Sequence, residues 1–491
     1  MRLESSTTNM GRSVKLMKRL LFVEPPKEFW FVMGEYLPPP FSLLQLAGYV
    51  ESMNMDIEID VLDCQAQGVN WKGLEKRIEA LNPDIVAASS LATCNVYTTV
   101  RALETAKKVK PEVLTVTGGQ HFTALAQESL ATYASIDFIA RGEGEATFSQ
   151  LVRALTSGER DLTRIEGLSY RVGERIVHNP PRPLIEDLDS LPLPGYRFVE
   201  DDLAKYHFTM MADRNTRYTI IEGSRGCQYD CTFCGQWPFW RGRWRSKSPK
   251  KIVDEMEQLY SGYGANFFWL TDDNFNLTRG KELSREISRR GLSERIMWFT
   301  QARCDDVAAN PEAVSEMRRA GCYWILLGVE SGDQAQLMEF HKGEGAKDAA
   351  EAFRVLKQND VFAQGTFIIG SRKDTRESIA RLREFVSSLD PDLAIFMILT
   401  PFPGSALYEE ASSKGWIENR NWADYDMVHA VMPTESLSRS EVQEELYQCY
   451  RSFYGSWSKR LKGIFSANKL KRRTYRYLAG QNLLNQLRTV A

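Results

Sequence analysis

Short apolar runs alternate along the chain with longer stretches whose apolar positions recur at helical spacing. Leu20–Val23, Ile57–Leu62, Asp84–Ser89, Val113–Thr117 and Phe138–Ala140 read as strands. Between and after them, Ser42–Met53, Trp71–Leu81, Val96–Val109, Phe122–Tyr133 and Ala146–Thr156 read as helices. Strict strand–helix alternation predicts a doubly wound α/β unit built on a parallel sheet. Ligands on such a sheet sit beyond the carboxyl ends of its strands.

The rhythm breaks at Glu166–Pro194, where hairpin-like pieces lead into a proline-rich run, and resumes at Tyr218. Thr219–Glu222, Asn266–Leu270, Met297–Gln301, Trp324–Val329, Phe362–Ile369 and Ala394–Leu399 read as six strands, each but the last followed by a helical stretch. Six parallel strands are too few for a closed eight-stranded barrel, so an open partial barrel is expected, with its site at the C-terminal strand ends. From Ser405 the pattern is helical, aromatic and finally basic. The expected organisation is a ligand-binding domain over 1–186, a linker over 187–217, a partial (β/α)6 barrel over 218–404 and a helical, basic region over 405–491.

With 491 residues, 43% hydrophobic and 26% charged, the composition is that of an ordinary globular chain with more than one core. The formal net charge of −2 gives no global field, so nucleic acid is not an expected partner. Charge is nevertheless uneven: no acid follows Glu445, whereas ten Lys and Arg residues do, from Arg451 to Arg488, interleaved with aromatics. That arm could dock an acidic partner surface or an anionic lipid, or be a solvated amphipathic helix. No run of about 18 apolar residues is present and no transmembrane segment is expected. The run at Leu20 ends too soon, at Glu24-Pro25-Pro26, for a signal peptide, so a cytoplasmic location is expected.

Eight cysteines in a chain this long do not form a disulfide scaffold. Five are scattered, but Cys227, Cys231 and Cys234 stand at C-x3-C-x2-C spacing in Glu222-Gly-Ser-Arg-Gly-Cys-Gln-Tyr-Asp-Cys-Thr-Phe-Cys-Gly. Three thiolates on one loop can hold three corners of an iron–sulfur cube and leave one iron open to a substrate. Gly223 and Gly226 permit the tight turns required. The alternatives are unligated buried cysteines, or zinc, which in structural sites takes four ligands and lacks a second pair here.

Placed straight after the first barrel strand, this loop resembles the radical S-adenosylmethionine superfamily over Thr219–Pro403. The resemblance implies a [4Fe–4S] cluster on Cys227, Cys231 and Cys234, with S-adenosylmethionine chelated at the open iron and cleaved to a 5′-deoxyadenosyl radical. It further implies S-adenosylmethionine contacts at Asp272 and Asp273 after the second barrel strand, Arg303 after the third, and Glu330 and Ser331 after the fourth. The aromatic loop Trp237–Lys247 either walls that site or packs against the neighbouring domain.

Upstream, Ser89, Ser90 and Thr93 follow the third strand, Gly118-Gly119-Gln120-His121 the fourth and Arg141-Gly-Glu143-Gly-Glu145 the fifth. Together with the barrel motifs they resemble the cobalamin-binding domain of that superfamily's class B, over Lys18–Thr156. Ser89, Thr93, Gly118, Gly119, His121 and Glu143 would then line cobalamin. The loop after the first strand, Glu24–Tyr36, has no histidine, so no histidine lower ligand to cobalt is expected. The resemblance implies C-methylation of an unactivated carbon with a low-potential reductant, and the class members it most resembles point to a protein substrate, a glutamine of methyl-coenzyme M reductase. Other readings are a ring-forming cyclase acting on magnesium-protoporphyrin monomethyl ester, a hopanoid or other lipid C-methylase, and a non-catalytic corrinoid carrier or electron-transfer protein.

Overall fold

A computed structural model describes residues 18–26, 36–90, 92–159, 161–208, 216–455, 463–466 and 468–480. Two sheets organise the chain. The first runs in the order Ile57–Asp63, Lys18–Glu24, Ile85–Ala87, Leu114–Gly118, Phe138–Ala140, Leu168–Val172, Arg175–His178. Its first five members pair in parallel, in the 2-1-3-4-5 order of a doubly wound sheet. The last two form an antiparallel hairpin added to its edge. The sheet is therefore mixed rather than purely parallel, because the hairpin pieces near Glu166 continue it instead of leaving it. Helices Trp71–Leu81 and Val96–Val109 stand where the periodicity predicts them. The expected helix Phe122–Tyr133 is broken in two at Leu125.

The second sheet is wholly parallel and sequential: Tyr218–Ile221, Phe267–Leu270, Met297–Arg303, Cys322–Glu330, Phe362–Ile369, Leu393–Ile398. Sequential order with a helix between neighbours gives the open partial barrel expected of six strands. Its lower end is plugged by aromatics. Phe299 stacks on Trp324 at 4.1 Å and on Trp269 at 5.5 Å, and Phe208 leans on Trp324 at 5.5 Å. Phe208 belongs to a small antiparallel ribbon with Tyr36–Leu37.

The segment that follows the proline-rich run, within the expected linker 187–217, is packed as a strap. Tyr196, Val199, Tyr206 and Phe208 are buried, and the Tyr196 hydroxyl donates to the Ile220 carbonyl at 2.5 Å. The C-terminal region is helical, with Arg439–Tyr454 packed on the last barrel strand and an earlier segment, through Trp422, returning to the first domain. In the basic arm, Lys469–Gly480 lies against the barrel: Lys471 pairs with Asp392 at 2.6 Å, and Leu470 and Tyr475 are buried. The rest of the expected docking arm, 456–462 and 481–491, and most of the histidine-free loop lie outside the described residues. No helix among the described residues is long and apolar enough to cross a membrane.

Candidate functional site

The cysteine loop leaves the first barrel strand at Glu222 and is closed by a two-stranded ribbon, Ser224–Arg225 against Arg245–Ser246. Gly226 has φ +88, and a Cβ there would meet the Arg243 carbonyl oxygen at 2.0 Å, so only glycine fits. Within the loop, the Cys234 amide donates to the Cys231 carbonyl at 3.0 Å. The Thr232 amide donates to the Phe340 carbonyl at 3.1 Å, and Phe233 meets the Phe340 ring edge-on at 5.1 Å. All three thiols are free and half-buried. Burial pushes the Cys227 and Cys231 thiols up and that of Cys234 up to about 12. A cluster binds thiolates, so its assembly there must expel protons.

The barrel-end residues separate into two kinds. Asp272 is fully buried and accepts the Gly223 and Ser224 amides at 2.8 and 3.0 Å and the Ser224 hydroxyl at 2.7 Å. Its carboxylate anchors the entry to the cysteine loop instead of facing a cosubstrate, and burial pushes it up to about 6. Asp273 accepts the Gly226 amide at 3.0 Å and is pushed up to about 7, again by burial.

Arg303, Glu330 and Ser331 form the other kind. The Arg303 guanidinium lies 3.7 Å over the ring of Tyr229, inside the cysteine loop, while bonding Asp305 at 3.0 Å and the Lys342 carbonyl at 2.8 Å. Glu330 holds φ +65 at a register shift of the fourth barrel strand. A non-glycine residue kept in that region stores strain of the sort that collects at functional sites. Its carboxylate faces the Lys342 ammonium at 3.3 Å, as does that of Glu344. Burial opposes the charge on Lys342, but the two carboxylates outweigh it and hold the ammonium raised. Ser331 lines a cleft of about 500 Å³ between its own segment and the helix Arg376–Leu389. Reading only the strand-end motifs missed Tyr229, Lys342 and Glu344. The one available signal was the charged stretch His341-Lys-Gly-Glu344, close behind the fourth strand.

In the first domain, Gly118 and Gly119 sit at the sheet's carboxyl edge. Gly119 has φ +101, and a Cβ there would meet the Ser90 carbonyl oxygen at 2.2 Å. At Gly118 it would meet the Ala140 carbonyl oxygen at 2.8 Å. The two glycines thus let three strand-end loops close on one another and bring Ser89, Thr93 and His121 to one edge. His121 is buried, edge-on to Trp422 at 4.9 Å, and burial lowers it to about 4, so its ring is neutral. Thr117 Oγ1, His121 Nδ1 and Arg141 Nε are buried with no hydrogen-bond partner among the described residues. Unpaired buried polar atoms at a sheet edge fit a ligand that supplies amide donors and acceptors, such as the rim of a corrin.

Glu143 points elsewhere. It receives Arg225 at 2.7 Å, Arg245 at 3.0 Å and the Ile185 amide at 2.7 Å. The expected contact with cobalamin gives way to an ion-pair cluster across the domain boundary, because two buried guanidinium groups occupy the carboxylate. The aromatic loop is shared between the readings offered for it: Trp244 donates to the Asn274 carbonyl at 3.0 Å, and Arg241 to the first domain's Arg182 carbonyl at 2.9 Å.

Two family models match the chain: the radical SAM superfamily over residues 221–386 and the B12 binding domain over 34–152. A protein of Pyrococcus horikoshii named as an uncharacterized methyltransferase, PH0819, is 31% identical over 92% of this chain and 95% of its own length. The anaerobic magnesium-protoporphyrin IX monomethyl ester cyclase of Cereibacter sphaeroides is also 31% identical, over 85% of this chain and 67% of its own. Among solved structures, the radical S-adenosylmethionine methyltransferase TsrM of Kitasatospora setae, with cobalamin and a [4Fe–4S] cluster bound, superposes with a TM-score of 0.71 at 17% identity, over 97% of this chain and 100% of that one.

Proposed function

Because the chain belongs to the cobalamin-binding branch of the radical S-adenosylmethionine superfamily, we propose that it transfers a methyl group to an unactivated carbon. Its cofactors are a [4Fe–4S] cluster, S-adenosylmethionine and cobalamin. The cluster supplies the electron that cleaves S-adenosylmethionine, and cobalamin supplies the methyl group.

The protein's own residues do the holding. Cys227, Cys231 and Cys234 ligate the cluster. Arg303, kept charged by Asp305 and Glu344 against its burial, together with Glu330 and Ser331, receives the polar ends of S-adenosylmethionine. Asp273 sets the turn at Gly226 beside that site. Ser89, Thr93, Gly118, Gly119 and His121 border the corrin. The aromatic loop excludes water from the space between, which protects a radical from quenching.

One observation carries this reading: the two cofactor loops touch, Gln120 of the glycine turn donating to Gln236 of the cysteine loop at 2.6 Å. A radical centre and a methyl donor must both reach one substrate carbon, and a contact between the two loops supports that arrangement. The match to the methyltransferase over nearly its whole length also supports methyl transfer. The domain limits that fit are 1–186, 187–217, 218–404 and 405–491.

For the substrate we propose a glutamine side chain of a protein, as in methyl-coenzyme M reductase, reached with a low-potential reductant. Cyclisation stands beside methyl transfer as a reaction class, since the methyltransferase and cyclase relatives are equally identical to the chain. Reduced protein given S-adenosylmethionine with each substrate in turn separates them. Methyl transfer releases S-adenosylhomocysteine with 5′-deoxyadenosine, whereas cyclisation releases 5′-deoxyadenosine alone. A protein that holds both cofactors and releases neither is a carrier.

A further inference from the structure

We propose that Arg225 and Gln236, each two residues outside the cysteine motif, are positioning residues that fix the cluster loop against the cobalamin-binding loops. The inference rests on the cofactor placement above and goes beyond it by naming what sets the distance between the two groups.

Arg225 is buried and uses all three faces of its guanidinium. It donates to Glu143 at 2.7 Å, to Glu145 at 2.6 Å and to Glu222 at 2.8 Å. Two of those acceptors belong to the first domain, where Glu143 caps and Glu145 opens the helix Gly144–Ser157 that follows the strand Phe138–Ala140. A planar fork holds its carboxylates in fixed directions, whereas the donors of an ammonium rotate. Burial by itself would lower this guanidinium, and the carboxylates of Glu145, Glu222 and Glu143 hold it well raised instead. Arg245, on the opposite strand of the closing ribbon, meets the same Glu143.

On the far side of the motif, the Gln236 amide donates to Cys234 Sγ at 3.4 Å. Its side-chain oxygen accepts Gln120 at 2.6 Å and Trp240 at 3.0 Å. Gln120 opens the short helix Gln120–Ala124 that Gly119 caps after the strand Leu114–Gly118, the neighbour of the strand that delivers Glu143. Two adjacent strand-to-helix turns of the first domain therefore bracket the cysteine loop, one by charge and one by neutral hydrogen bonds. The second bracket reaches a cluster sulfur through one residue, and hydrogen bonds to sulfur tune a cluster's potential. With both ends held, the spacing between cluster and corrin is set before any substrate enters.

The test is the magnetic interaction between the reduced cluster and cob(II)alamin in substrate-free holoenzyme, read by pulsed electron paramagnetic resonance. Wild type should show one narrow coupling. Gln120→Ala and Glu145→Gln, each with iron and cobalt contents equal to wild type, should lose it in favour of a broad or weakened one. Arg225→Lys, which keeps the charge and loses the fork, should fall between. A role confined to folding would lower the melting temperature and leave the coupling of the surviving holoenzyme as in wild type, and that result overturns the proposal. Should Glu145→Gln not retain its cofactors, Gln120→Ala alone decides. Wild type holding no cobalt or no cluster would instead overturn the cofactor assignment, and this inference with it.

Discussion

The strand-end rims of the two sheets solve opposite problems. The barrel rim is ionic and internally paired: Arg303 with Asp305 and Glu344, Lys342 with Glu330 and Glu344, all but Asp305 largely withdrawn from water. On the first sheet the part of the rim from Ser89 to His121 is neutral, built from backbone, hydroxyl and imidazole groups, with Thr117 Oγ1 and His121 Nδ1 unpaired among the described residues. Charge flanks it: Glu24 and Asp63 end the first two strands, and Glu143 and Glu145 after the last parallel strand face the barrel. A zwitterionic cosubstrate asks for fixed charges of both signs, and these must be held against desolvation by partners. A bulky ligand rimmed with amides asks for close approach and neutral hydrogen bonds, which glycine and orphaned polar atoms supply.

That contrast can be broken experimentally. The largest effect is expected at Lys342. Lys342→Met leaves the buried Glu330 carboxylate without its cation and Glu344 with Arg303 alone, which costs about 3–5 kcal/mol when one member of a buried pair is removed. Thermal unfolding should show the loss, and release of 5′-deoxyadenosine should stop. Next comes Gly119→Ala, which forces a side chain onto the Ser90 carbonyl at φ +101; about 1–3 kcal/mol of strain is expected, localised at the neutral rim. Retention of cobalamin after gel filtration should fall while the iron content stays unchanged.

His121→Phe sharpens the contrast differently. It removes a buried nitrogen that has no partner among the described residues, so the cobalamin-free chain should gain on the order of 1 kcal/mol while cobalamin retention weakens. The lowered value of about 4 fixes a pH signature as well. Keeping the ring neutral contributes stability that is complete above the imidazole's ordinary value of about 6.5 and is lost as pH falls toward 4. The phenylalanine variant should lack that part of the acid destabilisation in a melting series. The smallest effect is expected at Lys471→Ala, which breaks a largely buried pair with Asp392 but leaves that carboxylate its hydrogen bonds from the Tyr475 hydroxyl and the Ala363 amide; about 1 kcal/mol should be lost with no change in either cofactor.

Local signals carried most of the fold. Helices Trp71–Leu81, Val96–Val109 and Ala346–Gln358 and the strand Phe362–Ile369 stand where periodicity puts them, since each buries one regular face. The antiparallel hairpin and the packed strap were less legible, because their partners, Phe138–Ala140 and the Leu44–Ile220 neighbourhood, are distant in sequence. The site divides in the same way. Three cysteines on one loop announce themselves by spacing. The cation at Lys342, the ring at Tyr229 under Arg303 and the turning of Glu143 toward Arg225 depend on which loops the barrel and the first sheet bring together. Asp272 shows the converse: a strand-end carboxylate in the expected position is taken up by the backbone it anchors.

The account stands most directly on the electron paramagnetic resonance spectrum of anaerobically reconstituted, reduced protein, recorded with and without S-adenosylmethionine. A cubane signal that shifts when S-adenosylmethionine is added, and that disappears when Cys227, Cys231 and Cys234 are all changed to alanine, is the predicted result. No cubane signal in the wild-type chain, or the same signal in the triple variant, would contradict it.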